Sequence, residues 1–179
     1  MAHPTDKVKA TARRLLHACS IVQAPVDVEA VAAKLGAVVS FEAFKEELSG
    51  VLVKEKTRTV IGVNSFHSKT RQRFTIAHEC GHLVLEHPGE IFVDQTIKTV
   101  NKRDSLSSQA TDRSEIDANR FAAELLMPEN LVVEAVQRHY KKKPDISSPQ
   151  LIDELADEFQ VSPQAMEYRL TNLGMFMPR

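Results

Sequence analysis

Apolar residues first recur at helical spacing between Thr5 and Val22, where Val8, Ala12, Leu15, Leu16 and Cys19 share one side and Arg13 and Arg14 the other. A second helix is expected after Pro25, carrying Val28, Val31, Ala32 and Leu35 and stopping at Gly36, which suits a left-handed cap. The period then shortens. Three short Val- and Ile-rich runs, Ala37 to Phe44, Leu48 to Lys54 and Thr57 to Val63, read as strands separated by charged turns. The brief Glu55-Lys56 interval suits a hairpin, so a small antiparallel three-stranded meander is expected.

Helical periodicity returns from about Ser68 to Glu86, with Pro88-Gly89 as terminator. Lys98 to Asp112 is polar and aperiodic, the pattern of a loop or lid. Helices are expected again over Arg113 to Met127, Glu129 to His139, Pro149 to Phe159 and Pro163 to Leu173. Helices, a small sheet, then helices make an α+β architecture. The expected division is a main domain over 1–140 and a C-terminal helical hairpin over 141–179, packed on the same core.

Composition narrows the class without naming a chemistry. A chain of 179 residues, 42% hydrophobic, is long enough to bury one sizeable core. No apolar run approaches the ~20 residues needed to span a bilayer, and the first residues do not read as a secretory signal. Two cysteines, Cys19 and Cys80, cannot build a disulfide framework, so a cytoplasmic protein is expected. The net charge of -1 gives no general attraction to nucleic acid.

Chemistry is concentrated in His78-Glu79-Cys80-Gly81-His82, an H-E-x-x-H pentad inside FTIAHECGHLVLEH. Residues four apart on a helix lie about 40° apart around its axis and one turn along it, so both imidazoles can reach one ion. The intervening Glu79 projects beside the metal, where a carboxylate can take a proton from water activated by zinc. A bland reading makes the histidines part of an ordinary amphipathic helix. Against it, Phe74, Ala77, Leu83, Val84 and Leu85 would embed them in the core, where unpaired imidazoles would need partners.

A catalytic zinc takes three protein ligands and keeps one open position. The third is not close in sequence. The position six beyond His82 is Pro88, His87 points off the ligand face, and Glu86 lies about 12 Å along the axis from His78. The best source is EIDANRFAA, where Glu115, Ala118, Asn119 and Ala122 share a face whose alanines permit close packing; Asp117 points away. Glu115 also fits a capping box with Asp112, and that reading stands beside ligation. For an oxyanion donor, His67, His139, Tyr140, Tyr168 and Arg169 are all candidates. Asn64 and Ser65 suit a cap on the pentad helix.

With these residues in view, the chain resembles the ImmA/IrrE family of zinc metallopeptidases. The resemblance runs through PVDVEAVAAKLGAVV, LSGVLV, VIGVNSFHSKTRQRFTIAHECGHLVLEH, EIDANRFAAELLMP and FQVSPQAMEYRLTNLG. It implies a zincin-like, gluzincin-type fold, His78, His82 and Glu115 as zinc ligands, and Glu79 as general base. It also implies an endopeptidase whose substrate is a helix-turn-helix repressor or antitoxin. Cys80 sits at a variable position of the pentad and reads as packing.

The tail LIDELADEFQVSPQAMEYRLTNLG has the outline of a helix-turn-helix. Its first helix carries Asp153, Glu154, Asp157 and Glu158, a poor approach to phosphate, so direct DNA binding is not expected. The rival function is a non-enzymatic, zinc-stabilised regulator, or a toxin–antitoxin partner, binding DNA or a transcription factor through this tail.

Overall fold

The structure, a computed structural model, describes residues 4–45, 47–87, 91–95 and 105–175. Helix α1 (Pro4–Ala18) buries Val8, Ala12, Leu15 and Leu16, the stripe expected from its periodicity. Helix α2 (Val28–Lys34) is capped by Asp27, whose Oδ1 accepts from Ala30 N–H at 3.0 Å. Gly36 then turns the chain with φ +78° into strand β1 (Ala37–Glu42).

The sheet departs from the expected meander. Strand β2 (Leu48–Lys54) forms the anticipated antiparallel hairpin with β3 (Thr59–Asn64), but β1 runs parallel to β3, and β4 (Ile91–Gln95) adds antiparallel to β2. The order is β1-β3-β2-β4, four strands and mixed, rather than three and antiparallel. Parallel neighbours need a connection of a dozen residues or more. Residues 43–58 supply it, and β2 lies inside that crossover. Central β3 accordingly buries Ile61, Gly62, Val63 and Asn64.

Asn64 is a bracket rather than a cap. Its Nδ2 donates to the carbonyls of Leu48 (2.8 Å) and Lys45 (3.1 Å), and its Oδ1 accepts from Phe66 N–H at 3.1 Å. The cap of helix α3 (Lys69–Val84) is Ser68, which accepts from Arg71 N–H. Buried Gln72 holds the preceding turn by donating to the carbonyls of Asn64, Ser65 and His67. The proposed terminator Pro88-Gly89 lies outside the described residues.

Helix α4 (Ser105–Leu126) starts well before Arg113, so 105–112 is helix, not loop; 98–104 lie outside the described residues. With Asp112 inside α4, it is no N-cap, and the capping-box reading of Glu115 fails. A polar helix without an apolar stripe in its first turns gives no periodicity to read.

Helix α3 packs against α4, α2, β2 and β3, and α1 lies on α4. Helices α5 (Glu129–Lys142), α6 (Ser148–Phe159) and α7 (Pro163–Asn172) complete the chain. Leu151, Leu155, Phe159, Met166 and Leu170 belong to the same hydrophobic core as Phe121 and Leu125 of α4. One buried ion pair anchors α7: Arg169 binds both oxygens of Glu124 at 2.8 Å and donates through Nε to Met127 O at 2.9 Å. Only 6% of the Arg169 side chain and 12% of Glu124 are exposed.

Removing one partner of such a pair leaves a charge stranded out of water. Glu124→Leu is expected to lower stability by about 3–5 kcal/mol in urea denaturation, with most of it recovered when Arg169→Met is added. A Glu124→Leu midpoint equal to wild type would contradict this anchoring.

Candidate metal centre

Helices α3 and α4 approach closely because Gly81 has no side chain. A Cβ there would lie 3.1 Å from Ala118 Cα, 3.2 Å from Ala118 O and 3.2 Å from Phe121 Cδ1. Two of those three atoms are backbone, so relief would require α4 to move. The contact carries Glu115, one turn before Ala118, up to the histidine pair.

The result is a three-sided group. Nε2 of His78 lies 3.0 Å from Nε2 of His82, and the Glu115 carboxylate reaches them at 3.1 and 3.3 Å. Ligand atoms of these three residues all fall within 4.8 Å of one another. Donors on a tetrahedral ion with bonds of ~2.0–2.1 Å sit about 3.3 Å apart, so the spacing fits a single divalent ion. Both imidazoles are buried, while Glu115 is 42% exposed on the solvent side.

Each imidazole is backed by a second residue. Nδ1 of His78 lies 3.0 Å from Asn119 Oδ1, one turn beyond Glu115 on α4. An Nδ1–H donated to that oxygen leaves Nε2 with the lone pair a metal needs. Nδ1 of His82 faces Nδ1 of His87 at 3.0 Å, and Phe92 of β4 packs on the His82 ring with centroids 4.5 Å apart. His87 is thus no member of the three-residue group, yet it touches it. Burial lowers the His87 imidazole, and His82 lowers it further.

Glu79 is wholly buried between the two histidines in sequence and faces the sheet. Strand β2 passes directly over it: a Cβ on Gly50 would lie 3.6 Å from Glu79 Oε1 and 2.3 Å from Thr75 Cγ2. A β-bulge places Ser49 beside Gly50 out of register with β4, and Ser49 Oγ accepts from Arg71 at 2.8 Å. Burial pushes the neighbouring Cys80 thiol up to about 12, so Cys80 packs as a neutral thiol.

Burial alone would raise the Glu115 carboxyl. Hydrogen bonds and charge from His78 and His82 overcome it and hold the group at about 2. A carboxyl depressed in this way favours the folded state above its ordinary range near 4.5, and that contribution is lost as pH falls towards 2.

Among the candidate oxyanion donors, Arg169 is committed to Glu124, and His139 lies between Glu154 (2.9 Å) and Glu158 (3.2 Å). Tyr140 is exposed on α5, and His67 lies in the turn before α3. Tyr168 is 64% exposed and lines a cleft of about 620 Å³ together with Phe74, Asn119, Ala123 and Met127. None of His78, His82 and Glu115 lines that cleft; Asn119 connects the two only by its contact with the Nδ1 side of His78. Sequence reasoning missed Gly50 and Gly81 as close-approach residues and Asn119 and His87 as backing residues. Of these, the spacing of Asn119 from Glu115 was the legible signal.

Together the fold and this group define a mixed α+β protein with a His-His-Glu constellation able to hold a metal ion. Residues 32–171 match the peptidase M78 family, described as the IrrE N-terminal-like domain, and the chain belongs to that family. No curated protein sequence matches it significantly. Among solved structures it is similar to a Mycobacterium tuberculosis transcriptional regulator, with a TM-score of 0.60 at 18% identity. That likeness covers 93% of this chain but only 46% of the regulator, so the chain spans less than half its length. No helix among the described residues is long and apolar enough to cross a membrane.

Two outcomes follow from this geometry. Gly81→Ala should gain about 1 kcal/mol of helix propensity. Overpacking of about 1–3 kcal/mol, felt at the His-His-Glu group, should nevertheless weaken divalent-metal binding roughly tenfold or more in a chelator competition. Unchanged affinity would show that the helices yield elsewhere. Metal affinity should also fall as pH drops from about 7 to 5, because protons compete for the imidazoles while Glu115 stays ionised. Glu115→Gln should lower the affinity at pH 7 and also change that slope, because the carboxylate acts on both imidazoles as they act on it; an affinity equal to wild type would exclude the carboxylate from the site.

Proposed function

We propose that this chain is a zincin-like, zinc-dependent endopeptidase that cleaves a regulatory protein, a helix-turn-helix repressor or an antitoxin. The observation that carries the reading is the meeting of His78, His82 and Glu115 within bonding reach of one ion. Two imidazoles and a carboxylate are a catalytic rather than a structural zinc set, since they leave a coordination position open. Family membership supports a peptidase. The regulatory substrate rests on the sequence resemblance alone.

Zinc, when bound, supplies Lewis-acid polarisation of the scissile carbonyl and lowers the pKa of water. The remaining work falls to the chain. His78 and His82 are held by Asn119 and the end of α3, so the ligand face is set before substrate arrives. Glu79, shielded under β2, is the base that takes a proton from the attacking water and returns it to the departing amine nitrogen. The substrate chain approaches from the solvent side, where the Glu115 side chain is 42% exposed.

A second reading, a non-enzymatic regulator that uses zinc for structure, draws on the name of the similar Mycobacterium tuberculosis regulator. Arg169, one of the polar residues that α7 would offer to DNA, is buried against Glu124, which weakens that reading.

Glu79→Gln separates the two. It should bind zinc like wild type but cleave a co-expressed helix-turn-helix partner at least about 10²-fold more slowly, the scale of a lost general base. Wild-type cleavage by that variant would remove Glu79 from the chemistry. Sequence-specific DNA binding unaffected by the substitution, with no cleavage by either protein, would favour the regulator.

A further inference from the structure

Helix α3 ends in a turn that brings a third histidine back onto the metal group. Glu86 adopts a left-handed conformation (φ +55°), its N–H donates to Leu83 O, and His87 N–H donates to His82 O, each at 3.2 Å. This pair of bonds is a Schellman motif, in which the residue after the left-handed position lies over the residue whose carbonyl it caps. An apolar pair ordinarily fills that contact. Here it is His87 on His82, with ring centroids 5.0 Å apart, planes at 74° and the two Nδ1 atoms 3.0 Å apart.

The position of His87 is fixed from a third element. Lys54 of β2 donates to His87 O at 3.1 Å, and its ammonium stands 4.8 Å from the centre of the Phe92 ring. Phe92 in turn packs on His82. The His82 ring is therefore clasped by the helix-ending turn and by the β4 aromatic.

We propose that His87 is a positioning residue for the metal ligand His82, accepting a hydrogen bond at Nδ1 from His82 Nδ1–H. The inference rests on reading His78, His82 and Glu115 as a metal centre. Two ring nitrogens 3.0 Å apart need one hydrogen between them. A neutral His82 that offers the Nε2 lone pair to a cation carries its hydrogen on Nδ1. His87 must then accept at Nδ1 and keep its own hydrogen on Nε2. The motif that terminates the helix thereby also selects the tautomer of a ligand, the task Asn119 performs for His78. Both backing groups are neutral acceptors, so Glu115 remains the sole anion in the three-residue group.

The test compares wild type, His87→Asn and His87→Leu as full chains, using Zn²⁺ in competition with a chromophoric chelator at fixed pH. Asn places its Oδ1 where the imidazole Nδ1 stood; Leu keeps an apolar contact and loses the acceptor. The expected loss for His87→Leu is about 10–100-fold in affinity, whereas His87→Asn should stay within about threefold of wild type. Leu binding as tightly as wild type, or Asn falling as far as Leu, overturns the assignment and leaves a packing role. Should His87→Leu not fold, long-range ¹H–¹⁵N spectra of zinc-loaded wild type read the tautomers directly. Nδ1–H on His82 with Nε2–H on His87 is expected, and Nδ1–H on His87 overturns the proposal. A wild type that binds no zinc sinks the metal centre itself, a result distinct from either variant outcome.

Discussion

The site depends on how near two helix backbones can come. At Gly81 of α3 the backbone and Phe121 ring of α4 stand only 3.1–3.2 Å from where a methyl group would sit, so one would fit only if they gave way. This contact, one turn from both Glu115 and His78, sets whether a carboxylate on one helix and two imidazoles on another can share an ion. Ala118 and Ala122 extend the same small-residue face, and all of it is buried. Gly81 is an interior position of the H-E-x-x-H pentad, so the pentad supplies the packing as well as the two imidazoles.

A second layer of constraint surrounds the first. Gly50 lets β2 run close over Glu79 and Thr75, with the Ser49 bulge bending the strand at that point. Asn119 and His87 back the two imidazoles from α4 and from the end of α3. Buried networks of this kind hold side chains in one rotamer and one tautomer, which matters most where a metal tolerates little misplacement. The C-terminal helices join the same core. Arg169 and Glu124 fasten α7 beside the cleft that Asn119 lines, placing Tyr168 at its edge.

Much of this was legible along the chain because its signals are local. Helix α1 shows its buried stripe in the spacing of Val8, Ala12, Leu15 and Leu16, and α3 announces itself through the pentad and its apolar flanks. Glu115 could be singled out because its face also carried small residues. What escaped was non-local. Whether β1 pairs with β2 or β3 depends on which edge of β2 is taken by β4, some forty residues away, and no hairpin signal records that. The first turns of α4 are polar and carry no periodicity, which is why 105–112 read as loop. His87 was placed off the ligand face by continuing an ideal helix. The left-handed turn at Glu86 breaks that extrapolation and returns the ring to His82.

That α3 and α4 jointly hold one metal ion is open to direct observation. Anomalous diffraction at the zinc edge, from crystals grown with one equivalent of zinc, addresses it without reference to activity. The account predicts a single strong peak bonded to His78 Nε2, His82 Nε2 and a Glu115 oxygen at ~2.0–2.2 Å. A peak bound elsewhere, or coordination by the two histidines with the Glu115 carboxylate turned away, would contradict it.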